Sequence, residues 1–186
     1  MTPLHEDPPA AERLMEAHTP SLSLRTHMRA VSTAMAWFAR QGGYPESLWR
    51  VTGLLHDFDY EQHPAEHPTW GVTRLKELGL PEDACQAILA HADYTGEPRE
   101  TPLAKTLYAV DELCGLLVAA VLVRPARDFE GLEVKSVMKK FRDKAFAKGV
   151  NREDVRNGAQ ALGLSLETLV EQTLTALKQA RFSSSL

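Results

Sequence analysis

Apolar residues recur at helical spacing in the first third of the chain. Five of them share one predicted helix face: Leu24, Met28, Val31, Met35 and Phe38. This stripe predicts a helix that begins at Ser23 or Thr26 and ends at Arg40. The pair Gly42 and Gly43 follows directly and favours a stop at that point.

A second stripe occupies the middle of the chain. Its members are Leu103, Leu107, Val110, Cys114, Leu117 and Val121. Thr101 followed by Pro102 is typical of a helix start, so this helix is predicted to run from Pro102 to Val123. No segment alternates between apolar and polar residues as a half-buried strand does. The pattern therefore predicts an all-α fold, a helical bundle of about seven to nine helices.

Further helices and two loops complete this prediction. The helices are expected after Pro45, from Pro68 to Leu78, from Pro81 to His91, around 134–141, from Asn151 to Gly163 and from Ser165 onward. Residues 58–68 and 92–101 are polar and broken by proline, which predicts loops. Loops that join rigid helices often carry function.

Length and charge restrict the class of protein. A chain of 186 residues predicts one domain: a mobile segment over 1–19, a metal-site core over 20–125 and a helical extension over 126–182. The net charge of −4 makes nucleic acid an unlikely partner. The longest apolar run, Leu113 to Val123, is too short to cross a bilayer. With no signal peptide at the N-terminus, the expected location is cytoplasmic, with Cys85 and Cys114 as reduced core thiols.

Four residues of metal-ligand type lie on or beside the predicted apolar faces. They are His27, the adjacent pair His56 and Asp57, and Asp111. Burying imidazole and carboxylate groups is costly unless a partner compensates them. Their mixture of nitrogen and oxygen ligands suits a divalent ion (Mn, Fe, Co, Ni, Zn or Mg), and it lacks the thiolates of a structural zinc finger. The residues therefore predict a divalent metal site with open positions for water and a substrate oxygen.

These residues, in this order and on helices, resemble the HD superfamily of metal-dependent phosphohydrolases. Two strings, residues 54–60 and 109–113, together with 134–150, are similar to a subgroup of predicted bacterial HD hydrolases. The resemblance implies that His27, His56, Asp57 and Asp111 bind one metal, with Asp57 bridging to a second ion where one is bound. It also implies hydrolysis of a phosphoester, with a nucleotide as the expected substrate.

Other residues near the motif are candidates for chemistry. Asp59, Glu61 or His91 would move a proton, alongside Asp57 in catalysis. His67 and His91 are candidate ligands of a second metal. The alternative for His67 is a plain helix start, and for His91 a favourable charge at a helix end.

Three basic residues are candidate partners of a substrate phosphate. Arg124 follows the Asp111 helix, and Lys135 and Lys139 share one helix face. The alternative is that Lys135 and Lys139 lie on a solvated face and that Arg124 complements a helix dipole.

Two other readings of the whole chain stay open. The domain could be a non-catalytic sensor that binds a nucleotide or a partner protein, or a scaffold with a vestigial metal motif. The leucine-rich last helix could pack within the chain or form a homodimer.

Overall fold

The computed structural model describes residues 2–182, and this part of the chain is all-helical. Nine α-helices span Pro8–His18 (α1), Leu22–Gly42 (α2), Glu46–Leu55 (α3), Thr69–Glu77 (α4), Glu82–His91 (α5), Pro102–Leu122 (α6), Val134–Arg142 (α7), Arg152–Ala161 (α8) and Leu166–Gln179 (α9). Two short 3-10 turns span Leu4–Glu6 and Asp93–Thr95. No strand occurs over residues 2–182, so the predicted all-α class is confirmed.

The pair α2 and α3 forms one side of the core. The αL conformation of Gly43, with φ of 71°, ends α2, and its N–H bonds back to the carbonyls of Ala39 and Arg40. The helices approach closely at Gly53, where a Cβ would lie 2.9 Å from Cγ of Met35. This contact fixes the end of α3, and therefore the position of the two residues that follow it, against α2.

Helix α6 runs through the centre of the bundle. Its first turn is capped by Thr101, whose hydroxyl accepts a hydrogen bond from the Ala104 N–H at 3.1 Å. It packs against α2, α5, α8 and α9. Gly158 of α8 permits a close approach to α6, since a Cβ there would lie 2.4 Å from Cα of Ala109. The start of α8 is thereby held beside the middle of α6.

The N-terminal segment differs from its prediction. Residues 1–19 were expected to be mobile, but Pro8–His18 forms a helix whose Ala11 and Met15 are fully buried in the core. Asp7 caps this helix by accepting from the Ala10 N–H at 3.0 Å. Two proline residues at a helix start favour the helix rather than opposing it, and this explains the error.

The C-terminal helices share the same core. Leu169 and Leu177 of α9 are fully buried, and both belong to one continuous apolar cluster with residues of α2 and α6. Cys85 and Cys114 are buried and free, as expected for core thiols. Within residues 2–182, no helix is both long and apolar enough to cross a membrane.

Candidate metal centre

The four predicted ligands meet at one point between three helices. His27 comes from α2, His56 and Asp57 follow the last residue of α3, and Asp111 lies midway along α6. Nε2 of His27 is 2.9 Å from Oδ1 of Asp111 and 3.9 Å from Oδ2 of Asp57. Nε2 of His56 is 3.3 Å from the same Asp111 oxygen and 3.4 Å from the same Asp57 oxygen. We call His27, His56, Asp111 and Oδ2 of Asp57 the Asp111 group.

The other oxygen of Asp57 faces a second pair of histidines. Nε2 of His67 lies 3.4 Å from Oδ1 of Asp57, and Nε2 of His91 lies 3.3 Å from it. His67 comes from the loop before α4, and His91 is the last residue of α5. We call His67, His91 and Oδ1 of Asp57 the His67 group. His27, His56 and Asp57 are close enough together to hold an ion, and so are Asp57, His67 and His91, so Asp57 belongs to both sets. Asp111 joins the first set through its contacts with His27 and His56.

Two of the histidines are oriented by backbone carbonyls that lie against their Nδ1 atoms. Nδ1 of His56 lies 2.9 Å from the Gly53 carbonyl, and Nδ1 of His91 lies 2.5 Å from the Ile88 carbonyl. A carbonyl only accepts, so each Nδ1 must be the protonated donor. Both acceptors precede their histidine by three residues at a helix C-terminus, where carbonyls lack intrahelical partners. In the neutral ring, each Nε2 is then left with a lone pair that faces the cluster.

The donor set fits a divalent cation. His56 is completely buried, and its Nε2 has no hydrogen-bond partner. An unpartnered buried nitrogen costs free energy unless something outside the protein chain satisfies it. Imidazole nitrogens and carboxylate oxygens around one point are ligands of a first-row divalent metal.

Without a metal, the charges of the site act on one another. Burial disfavours charge on the His56 ring, but Asp57 and Asp111 outweigh it and raise the pKa of His56 well above its ordinary value. The pKa of His91 is also raised, because Asp57 outweighs its burial. Burial opposes ionisation of Asp57 and Asp111 as well, yet the histidines hold the pKa of both carboxyls well below the usual range. The site therefore attracts cations, whether protons or a metal.

Asp59 does not face the cavity, where a residue that moves a proton to or from the substrate would have to lie. Its side chain is 1% exposed; Oδ1 accepts from Nδ1 of His67 at 2.7 Å and Oδ2 accepts from the Gly71 N–H at 2.7 Å. Gly71 is needed here, since a Cβ would lie 2.8 Å from the carboxylate. The structure thus corrects the expected role: Asp59 orients a histidine of the His67 group and does not line the cavity.

Glu61 also lies outside the cavity lining, so it does not take the proton-transfer role expected of it. Its Oε2 accepts from the Ser21 N–H at 3.0 Å, at the start of α2 and on the protein surface. The residue does not line the cavity beside the metal centre. Of the three residues expected to move a proton, only His91 lies at the site. Sequence distance from the motif was a poor guide, because the Glu61 side chain turns to the start of α2 while its neighbour Tyr60 lines the cavity.

A cavity of about 430 Å³ opens on the two groups. Its lining residues are His27, Asp57, Tyr60, His67, His91, Ala92, Asp93, Tyr94, Tyr108, Asp111, Glu112, Asn151 and Asp154. A larger cavity of about 870 Å³ adjoins it and shares His67 and Tyr94, but contains none of the other ligands. The smaller cavity is therefore the one that gives access to the candidate metal centre.

The three basic residues expected to bind phosphate lie elsewhere. Arg124 lies beyond the C-terminus of α6, whose last residue is about 16 Å along the helix axis from Asp111, and it donates to the Gly131 carbonyl at 2.8 Å. Lys135 and Lys139 belong to α7, which packs on α6 and α9. None of the three lines the cavity. Lys135 and Lys139 are exposed on α7, and Arg124 is occupied by a loop carbonyl.

Several residues of the cavity had no functional signal in the sequence. Glu112 accepts from the Asn151 N–H at 3.0 Å, and Asp154 accepts from the Tyr108 hydroxyl at 3.0 Å. Burial raises the pKa of Glu112 and of Asp154, with neighbouring acids adding to it. Asn151 and Asp154 had been identified only as residues of a helix start. Their contact with α6 depends on packing across 39 to 46 residues of chain.

Comparisons with known proteins agree with this geometry. No curated protein and no solved structure matched the chain. A family model, the HD domain, matches residues 24–116, and this range contains every member of the Asp111 and His67 groups. The narrower bacterial subgroup stays a prediction. The match covers half of the chain, and the chain therefore belongs to the HD domain family, the superfamily of metal-dependent phosphohydrolases that its sequence resembles.

Proposed function

We propose that this protein is a metal-dependent phosphohydrolase that cleaves a phosphoester with water. Family membership supports the reaction class. The single observation that carries the proposal is Nε2 of His56, which is buried, unpartnered and directed at the carboxylates of Asp57 and Asp111. This arrangement favours a bound cation in the fold of a hydrolase family.

The two ligand groups would hold two ions, one on each side of Asp57. His27, His56, Asp111 and Oδ2 of Asp57 provide one set of ligands, and His67, His91 and Oδ1 of Asp57 provide the other. A divalent ion held there lowers the pKa of a bound water and polarises a phosphoryl oxygen. The carbonyls of Gly53 and Ile88 keep the rings of His56 and His91 in the tautomer that this binding needs.

The ligand chemistry narrows the choice of metal. Each group contains two imidazole nitrogens, and magnesium prefers oxygen ligands and retained water. Mn, Fe, Co, Ni and Zn accept imidazole readily. We therefore propose a transition metal or zinc as the working ion, with Mg the weakest candidate of the six expected from the sequence.

The cavity limits the substrate to a small phosphoester. Its volume of about 430 Å³ is in the range of small-ligand sites. The rings of Tyr60 and Tyr94 are exposed in its wall and are able to stack on a base, which keeps a nucleotide among the candidates. The acidic lining opposes a long polyphosphate, so a monophosphate fits the proposal better.

The test combines metal analysis with a substrate panel. The full chain is loaded in turn with Mn, Fe, Co, Ni, Zn and Mg, and phosphate release is measured from aryl phosphates and nucleoside monophosphates. We expect up to two bound ions per chain and turnover with at least one metal. Asp57→Ala should lose both ions. It should also reduce kcat/KM by more than roughly 100-fold, because loss of a residue that only orients a ligand already costs up to that much. Asp128→Ala, at an exposed loop position, is the matched control and should retain both.

Three results would separate the alternatives. Asp57→Ala protein that hydrolyses phosphoesters at the parent rate contradicts the proposal. A parent chain that binds no metal favours the vestigial scaffold. A chain that binds ions and a nucleotide without turnover on any ester favours the non-catalytic sensor, the alternative that the sequence left open.

A further inference from the structure

The wall of the cavity beyond the metal ligands is acidic. Asp93, Glu112 and Asp154 line it together with the ligands Asp57 and Asp111, and within residues 2–182 no lysine or arginine does. Phosphate-binding sites commonly place arginine or lysine against the anion. Since no lysine or arginine of the described lining faces a phosphate, the metal centre would have to balance the phosphate charge, and the acidic wall must face another part of the ligand.

In two of these carboxylates, only one of the two oxygens accepts a hydrogen bond from the protein. Glu112 accepts from the Asn151 N–H through Oε2, and Asp154 accepts from the Tyr108 hydroxyl through Oδ1. Their remaining oxygens have no hydrogen-bond partner among the described residues. A carboxylate oxygen has two lone pairs and accepts from an ammonium or other donor group at little geometric cost. The wall therefore offers acceptors that the protein itself does not fill.

Aromatic rings accompany these acids. Tyr94 is 73% exposed and Tyr60 is 52% exposed, and both line the same cavity. A third ring, that of Tyr108, already binds a cation: the guanidinium carbon of Arg99 lies 3.5 Å from its centroid. The charge of Arg99 is taken up by Asp93, to which it donates. Aromatic faces combined with carboxylates are a binding chemistry for organic cations.

The balance of charges in the site also favours a cationic group on the substrate. This argument rests on the proposed function. Two divalent ions, the ligand carboxylates Asp57 and Asp111, and a phosphate dianion together have no net charge. The unpartnered Nε2 of the fully buried His56 marks the place of the first of these ions. Asp93, Glu112 and Asp154 carry three negative charges, of which Arg99 compensates one through its bond to Asp93, so two are left over. A substrate with a positive group reduces this excess, and additional phosphates increase it.

We propose that the substrate is a phosphomonoester whose organic part carries an ammonium group, primary or N-methylated. The phosphate lies at the metal centre, and the ammonium group lies between Glu112, Asp154 and the rings of Tyr60 and Tyr94. Water forms the new bond to phosphorus, the phosphorus–oxygen ester bond breaks, and the leaving oxygen takes a proton. The products are inorganic phosphate and an amino alcohol.

The experiment uses the metal-loaded full chain and esters that differ only in charge. Phosphoethanolamine and phosphocholine carry a cation, ethyl phosphate is neutral at the same position, and phosphoglycolate is anionic there; AMP and ATP complete the panel. We expect kcat/KM for the better cationic ester to exceed that for ethyl phosphate by about tenfold or more, with phosphoglycolate and ATP lowest. The two cationic esters distinguish a primary from a methylated ammonium group.

A double variant tests the residues that carry the proposal. In Glu112→Gln with Asp154→Asn, the amide oxygens still accept from the Asn151 N–H and the Tyr108 hydroxyl, so the fold contacts are retained. The ratio of kcat/KM between the cationic and the neutral ester should fall towards one. Glu171→Gln, at an exposed position of α9 that does not line the cavity, makes a single equivalent charge change and should retain the parent ratio.

A second readout does not depend on turnover. Saturation-transfer NMR measures the binding of choline and of ethanolamine to the metal-free chain. At least one of the two should bind to the parent and to Glu171→Gln, and its binding should be lost in the double variant. A parent ratio near one, a ratio that the double variant leaves unchanged, or ATP as the best substrate overturns the cation site. Absence of turnover on every ester overturns the proposed function instead, and the NMR experiment then still decides whether the cation site exists.

Discussion

The Asp111 group and the His67 group share Asp57 but are built differently. The Asp111 group is held by α2, α6 and the end of α3, and α2 and α6 are the two longest helices of the bundle. The His67 group takes one residue from the loop before α4 and one from the end of the ten-residue helix α5. A ligand on a core helix is positioned by packing along its whole length, whereas a loop ligand needs a dedicated partner. Asp59 is that partner for His67.

The groups also differ in charge. The Asp111 group has two carboxylates, Asp57 and Asp111, while the His67 group has the shared Asp57 alone. More anionic ligands and a more rigid frame both increase affinity for a cation. We therefore expect one tightly bound ion in the Asp111 group and a weaker, more exchangeable ion in the His67 group.

The largest expected effect separates the groups by their own ligands. Asp111→Asn should weaken the tight ion by more than roughly 100-fold, because it removes a direct ligand rather than an orienting one. His91→Gln should lose the weaker ion only, leaving one ion per chain with the parent affinity. Calorimetric metal titration with elemental analysis measures both. If the two variants lose the same ion, the distinction between the groups is wrong.

A smaller effect is expected from the partner of His67. Asp59 accepts two hydrogen bonds, one from His67 and one from the Gly71 N–H. An asparagine at this position has one oxygen that accepts and one NH₂ group that does not, so it keeps only one of these bonds. Asp59→Asn should therefore weaken the second ion by about 10- to 100-fold and leave the first unchanged.

The same titration tests this variant, with Asp128→Asn as the control at an exposed position. An equal loss at both ions would mean that Asp59 supports the whole fold rather than one ligand. Unchanged affinity at both ions would show that His67 needs no such partner.

The smallest expected effect is a dependence on pH. Asp57 and Asp111 overcome the burial of His56 and raise its pKa, so in the metal-free site a proton competes for Nε2 of that ring. Only a neutral imidazole binds a metal, so the ion must displace this proton. Metal affinity should fall as the pH decreases, by about tenfold per pH unit for each proton displaced. Titration in buffers of different ionisation enthalpy counts the protons; a count of zero would contradict the assignment of His56.

The sequence predicted the Asp111 group because its members follow the helical pattern. His27 and Asp111 lie on or beside apolar stripes, and His56 and Asp57 come at the end of one, so local periodicity predicts that each is buried. That the four meet at one metal was implied by their resemblance to the HD superfamily. The helical class of the fold follows from the same periodicity. His67 and His91 were only candidates, because a histidine at a helix end has a structural explanation of its own.

Residues placed by long-range packing were beyond prediction. The role of Asp59 depends on Gly71, twelve positions later, and nothing in the loop sequence shows that the two meet. Glu112 and Asp154 reach the cavity because Gly158 lets α8 approach α6 at Ala109. Periodicity gives the inner face of each helix, but it does not give the neighbour that this face contacts.

The most direct test of the account is an anomalous diffraction experiment on crystals grown with manganese. We predict one peak between His27, His56 and Asp111, in contact with Nε2 of His56, and a second, weaker peak between His67 and His91, with Asp57 between the two. Crystals that contain manganese at other sites but show no peak beside Nε2 of His56 would contradict the central claim.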